Sequence, residues 1–156
     1  MTVMKATRRD LAFLLPAPSA VASAQTKGAK KGNTHSVAEL MTLESLVRRY
    51  EDLPSRPAGA NISHPVFDGL THGGFRVEMH ETELGPEQSP HPPHRHAHEE
   101  IIMVYEGALD YTVNGKTTHL GPGGFGFSGS NDEHGVKNPS STLRSKYFVI
   151  AFGPGA

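Results

Sequence analysis

Residues 94–107 read HRHAHEEIIMVYEG. The run Ile101-Ile102-Met103-Val104-Tyr105 is continuously apolar and rich in β-branched residues, the mark of a strand covered on both faces. Just ahead of it stand His94 and His96. On extended backbone, alternate residues face the same side, so both imidazoles can reach one point. Glu100 opens the apolar strand after a bend at Ala97-His98-Glu99, and pairing with a neighbouring strand can bring its carboxylate to that point. Further along, His134 follows an Asn131-Asp132-Glu133 turn and offers a third imidazole. Three neutral nitrogens and one anionic oxygen suit a single borderline divalent ion (manganese, iron, nickel, copper or zinc). A six-coordinate ion held this way keeps positions for water or substrate.

The flanking sequence has the same β character. Phe75, Val77 and Met79 alternate with polar residues, the pattern of a half-buried strand. Residues 83–93 form a Pro-rich loop. Leu109 to Val113 alternates, Asn114-Gly115 is the preferred pair for a type I′ hairpin turn, and Lys116 to Leu120 returns. Gly121-Pro122-Gly123-Gly124 turns the chain again. Phe125 and Phe127 then alternate with Gly126 and Ser128, and a last strand spans about residues 146–152. Gly 17 and Pro 12 agree with many turns. Short strands punctuated in this way predict an all-β sandwich or barrel.

At these residues the chain resembles the cupin superfamily. His94, His96, Glu100 and Gly107 fall at the spacings of that family's first motif, with Gln88 where the motif opens on Gly. Gly123, His134 and Asn138 fit its second motif, with Gly129 at the usual Pro and Asn131 at the usual Gly. Asn is the next-best residue for positive φ, so the turn is expected to survive. The alternative frame His96-Ala97-His98 fails, because its carboxylate would fall at Ile102 or Met103. The resemblance covers about residues 60–153. It implies a single double-stranded β-helix, the cupin jelly-roll barrel, with His94, His96, Glu100 and His134 as metal ligands. Asn138 is expected to hold the turn behind His134 rather than bind metal. Small cupins dimerise through sheet contacts, so the resemblance also implies a homodimer.

The N-terminus has a different composition. Lys5, Arg8 and Arg9 precede an apolar run from Leu11 to Leu15, and Ala22-Ser23-Ala24 stands before Gln25. This is the layout of a secretory signal peptide over residues 1–24, with an apolar run too short to span a bilayer. Thr7-Arg8-Arg9-Asp10-Leu11 resembles the twin-arginine export motif. The expected destination is periplasmic or extracellular, with no membrane contact once the signal is removed. Residues 25–35 read as a polar linker. Residues 36–50 read as a helix, which a connection to residue 59 completes. Ser36 with Glu39 fits a capping box. Val37, Leu40, Met41, Leu43, Leu46, Val47 and Tyr50 form a stripe at helical spacing, and Arg48 and Arg49 suit a helix C-terminus. This helix is expected outside the barrel, where it or a second subunit covers the outer side of the Ile101–Tyr105 strand.

Composition narrows the partners. The formal net charge is -1 with no basic stripe, which argues against nucleic acid. Without cysteine there is neither a disulfide nor a thiolate ligand. His91 and His98 are expected at the solvent or the barrel mouth, and His80 either inside or on the surface. His35, His64, His72 and His119 receive no role. Ile102, Val104, Phe125 and Phe127 are expected in the core, and Tyr105, Tyr111 and Tyr147 in packing. Arg95 should face away from the metal, and Glu99, Asp132 and Glu133 should form a solvated rim. The implied function is a metal-dependent enzyme on a small organic molecule, dioxygenase-like or isomerase-like. The alternative is a non-catalytic module that binds or senses a sugar or organic acid. A fold that hosts both does not choose between them.

Overall fold

Short apolar-rich segments separated by turns build strands throughout the computed structural model, which describes residues 40–156. The expected signal peptide, the linker and the first residues of the expected helix (36–39) lie outside the described residues. The strands are β1 (Arg56–Ala58), β2 (Asn61–Leu70), β3 (Arg76–Leu84), β4 (Glu99–Glu106), β5 (Leu109–Val113), β6 (Lys116–Leu120), β7 (Phe125–Ser128), β8 (His134–Lys137) and β9 (Ser145–Phe152). They form two antiparallel sheets, ordered β1-β2-β3-β9-β4-β7 and β6-β5-β8. This is the expected all-β jelly-roll barrel.

The core lies between the two sheets. Along β9, Ser145, Tyr147, Val149 and Ala151 are buried while the residues between them are half-buried. Leu84, Val104 and Leu109 are fully buried and pack with Ile102, Tyr111, Val136, Tyr147 and Val149. Each large apolar side chain taken fully out of water contributes about 1.5–3 kcal/mol. The hairpin between β5 and β6 turns on Asn114 (φ 47°) and Gly115 (φ 79°), both left-handed as a type I′ turn requires.

Two expectations need correction. First, residues 40–49 are not helical; a single 3-10 turn at Tyr50–Asp52 is all that follows them. Instead the segment straps onto the edge of β2. Thr42 bridges Leu70, Leu43 N–H donates to Leu70 O at 2.7 Å, and Leu70 N–H donates to Met41 O at 2.9 Å. Leu43 lies directly over Gly69, where a Cβ would collide with it. Free edge groups on β2 and this close fit override the segment's helix propensity, as tertiary context commonly does. The supposed stripe is not a buried face: Met41 is 82% exposed and Val47 96%. Sheet pairing also begins at Arg56, ahead of residue 60.

Second, Phe125 and Phe127 point outward, 73% and 54% exposed. The inward positions of β7 are Gly126 and Ser128. The Tyr111 ring fills the interior against Gly126, leaving no room for a side chain there. Among the described residues β4 is covered on one face, which leaves the other open to the second subunit that the resemblance implies. Ile102 and Val104 are buried, but Ile101, Met103 and Tyr105 are exposed.

Candidate metal centre

His94 sits in the loop before β4, and His134 opens β8. Their backbones form an isolated antiparallel bridge, each N–H donating to the other's carbonyl at 3.0 Å. Asn131 takes φ 63°, and its N–H donates to His96 O at 2.8 Å. The left-handed turn expected where Asn replaces Gly is therefore formed. These links hold three imidazoles together. Ring centroids are 4.9 Å apart for His94 and His96, 4.8 Å for His94 and His134, and 4.6 Å for His96 and His134. One ligand nitrogen from each ring lies within 4.8 Å of the others.

Glu100, in β4 opposite Ser128 of β7, places its carboxylate beside them. His96 Nε2 is 3.2 Å from Glu100 Oε1, and His134 Nε2 is 3.3 Å from Glu100 Oε2. Hydrogen bonds on the far side of two rings set which nitrogen faces inward. His96 Nδ1 donates to His98 O and His134 Nδ1 to Asp132 O, both at 2.9 Å. Both Nε2 atoms are then buried without a hydrogen-bond partner, as is His94 Nδ1. Donors about 2.0–2.2 Å from a tetrahedral ion stand about 3.4 Å apart. The observed nitrogen–oxygen separations match that spacing, so these residues could hold a divalent ion. Burial, followed by the neighbouring His91, His134 and His96, lowers the His94 pKa against the opposing pull of Glu100. The neutral ring that a metal needs is thereby favoured.

The surrounding residues divide less simply than their spacing suggested. His98 is not solvent-facing. Its ring stacks on His96 with centroids 3.4 Å apart, and its Nε2 lies 3.3 Å from Glu100 Oε1. Burial and His96 lower the His98 pKa, with Glu100 opposing. His91 is exposed and edges onto His94 at 4.1 Å. Arg95 faces away, donating to Asn131 O at 2.8 Å and pairing with Glu133 at 3.4 Å. Asn138 is fully buried, and its side chain makes no hydrogen bond to His134. Its Nδ2 donates to Leu143 O at 2.8 Å and Gly85 O at 3.0 Å, and its Oδ1 accepts from Ser140 N–H at 3.0 Å. Gln88, in the position of the first motif's Gly, has its carbonyl taken up by Asn138 N–H at 2.9 Å.

Glu100 and His134 form part of the wall of a cavity of 360 Å³ between the sheets. Ile102, Val136 and Val149 supply apolar wall, while His80, Thr82 and Tyr111 supply polar atoms. The Tyr111 hydroxyl is buried with no hydrogen-bond partner, and burial raises its pKa. His80 Nδ1 lies 2.8 Å from Glu78 Oε1. Neither Tyr111 nor His80 was assigned a site role from sequence. The Glu78-x-His80 spacing on an alternating strand, which puts both residues on one face, was the available signal for the latter.

The cupin domain family matches residues 80–151. No curated protein matches the chain in sequence. Among solved structures, an RmlC-like cupin from Shewanella frigidimarina NCIMB 400 is similar with TM-score 0.61 and 16% identity, over 74% of this chain and 96% of that one. The polyketide cyclase RemF from Streptomyces resistomycificus gives TM-score 0.55 and 23% identity, over 72% of this chain and 81% of that one. A predicted oxalate decarboxylase from Thermotoga maritima gives TM-score 0.58 and 18% identity, over 70% of this chain and 100% of that one. At these identities the likeness is one of fold.

Proposed function

The chain belongs to the cupin superfamily, and on that premise we propose that it is a metal-dependent enzyme acting on a small organic molecule inside its barrel. One observation carries the reading: Glu100 and His134, two of four converging donors, line the wall of the 360 Å³ interior cavity. Bound there by His94, His96, Glu100 and His134, manganese, iron, nickel, copper or zinc supplies Lewis acidity, and the redox-active members of that set supply electron transfer.

The chain's own groups account for binding and proton handling. Ile102, Val136 and Val149 desolvate the substrate and strengthen polar contacts made inside. Tyr111, whose pKa burial raises, presents a buried phenol O–H that can donate to a substrate oxygen. Glu78 accepts the Nδ1 proton of His80, which leaves His80 Nε2 as the basic nitrogen. A base on one part of the wall and a donor on another suit carbonyl- or carboxylate-bearing substrates. Two structural neighbours carry enzyme names, a polyketide cyclase and a predicted oxalate decarboxylase; they support the class of function, not a substrate.

The test is turnover of a panel of small carbonyl and carboxylic compounds, read by mass spectrometry, with metal-stripped protein reloaded one metal at a time. Activity that survives zinc assigns Lewis-acid chemistry. Activity confined to a redox-active metal with dioxygen assigns oxidative cleavage. Tight ligand retention with no turnover under any metal would overturn the enzyme reading in favour of a binding module. The proposal includes export directed by residues 1–24, checked by N-terminal sequencing of protein recovered from the periplasm or medium. It also includes a homodimer formed through the uncovered outer face of β9, β4 and β7.

A further inference from the structure

A second group of ligand-type side chains lies on the other face of the large sheet. Thr82 and His80 of β3 line the cavity, so Glu81 and Glu83, which alternate with them, face outward. His64 of β2 sits opposite Glu81 in the ladder. Its Nε2 is 3.2 Å from Glu83 Oε1 and 3.7 Å from Glu81 Oε2. The Glu81 side chain is 0% exposed and that of His64 10%.

Two phenols orient the carboxylates. Tyr105 O–H donates to Glu81 Oε1 and Tyr50 O–H to Glu83 Oε1, each at 2.9 Å. Tyr50 opens the 3-10 turn that ends the strap, and its ring packs against His64 with centroids 5.3 Å apart. This arrangement leaves Glu81 Oε2 fully buried, turned toward His64 and without a hydrogen-bond partner. Leaving a carboxylate oxygen buried and unmatched is unfavourable unless a cation or proton meets it.

We propose that His64 Nε2, Glu81 Oε2 and a Glu83 carboxylate oxygen form a second site for a borderline divalent cation, separate from the centre at the cavity. The three ligand atoms lie within 4.8 Å of one another, and two of their separations bracket the spacing of donors around a tetrahedral ion. One imidazole and two carboxylates suit zinc or manganese, with water completing the shell. Binding requires the His64 Nε2 lone pair. Any proton on that nitrogen leaves to Nδ1, which is itself unpartnered, or to solvent. Burial pushes the Glu81 carboxyl up, against Tyr105 and His64, and a bound cation opposes that push. Through Tyr50, the site couples strap to sheet.

The experiment is zinc titration of the full, untagged, metal-stripped chain by calorimetry, with circular dichroism of every variant. Wild type should bind two equivalents and the His94→Ala/His134→Ala variant one. Adding Glu81→Gln to that variant should abolish the remaining equivalent. If Glu81→Gln fails to fold, Glu83→Gln at the more exposed ligand makes the same comparison. Manganese-soaked crystals should show an anomalous peak between His64 and Glu81. A wild-type stoichiometry of one, or a second equivalent indifferent to Glu81→Gln and Glu83→Gln, overturns the proposal.

Discussion

His94 and His134 are joined backbone to backbone by two hydrogen bonds of 3.0 Å, so the loop that carries one imidazole is pinned to the strand that carries the other. Because the pinning uses main-chain atoms, either side chain can be removed without freeing the loop. His94→Ala and His134→Ala should therefore keep the fold and lose metal. Three imidazoles fall to two, and affinity should drop by more than about 100-fold, beyond the roughly 10–100-fold typical of supporting residues. Elemental analysis alongside circular dichroism checks both halves of the statement.

His98 should behave as a supporting residue. Its Nε2 contacts Glu100 Oε1 at 3.3 Å, whereas within this cluster the orphaned buried nitrogens belong to His94, His96 and His134. His98→Ala removes a contact that orients Glu100 and a ring stacked on His96, and leaves the four donors in place. The expected loss in metal affinity is about 10-fold, measured by competition with a chelator. A loss as large as that of His134→Ala would make His98 a ligand.

The histidine cluster gives the metal-free protein a pH dependence. Burial first, then neighbouring histidines, lowers the His94 pKa from 6.5, and His98 shifts the same way. Between the lowered folded value and 6.5 the unfolded chain binds more protons, so stability rises with pH through that window. It is complete above 6.5 and is lost as pH falls toward the folded value. Thermal unfolding of stripped protein between about pH 5 and pH 7 should show this rise. His94→Ala should reduce the slope. Metal binding, which needs neutral imidazole, should hold to a lower pH than an unperturbed histidine would allow.

What the sequence made legible followed from local rules. The Asn114-Gly115 turn, the alternation of β5, and the His94/His96/Glu100 spacing each depend on residues a few positions apart. The misread features depend on distant partners. Whether Phe125 or Gly126 faces inward is decided by the Tyr111 ring from another sheet. The residue 40–49 segment has an apolar period that suits a helix, yet its hydrogen-bond partner is Leu70 on the edge of β2. His98 is expected at the solvent or the barrel mouth, because spacing alone does not show its ring folding back onto His96. The His64, Glu81 and Glu83 group was invisible because it is assembled across two strands whose register had to be known.

Asn138 offers a test of stability uncoupled from the metal. Its buried amide donates to the carbonyls of Leu143 and Gly85 and accepts from Ser140 N–H, closing the loop before β9 onto the end of β3. Asn138→Ala leaves those groups unmatched in a site closed to water. The cost should be at least about 2 kcal/mol, read from the urea midpoint. Because Asn138 makes no hydrogen bond to His134, metal affinity of the folded fraction should stay near wild type.

The outer face of the large sheet carries the last prediction. Register puts Ile101 between Phe127 and Ile150, and Met103 between Phe125 and Phe148. Two parallel apolar rows thus cross β9, β4 and β7, extended by the Phe127–Phe152 stack with centroids 6.5 Å apart. A continuous apolar patch of this kind is rare on a monomer. A second copy presenting the same rows covers it with self-complementary contacts, as two-fold symmetry requires. Light scattering of the wild-type chain at micromolar concentration should give the dimer mass. Ile101→Lys places a charge in the middle of both rows while leaving the buried Ile102 and Val104 untouched, so it should give a folded monomer. A wild-type monomer at that concentration refutes the dimer.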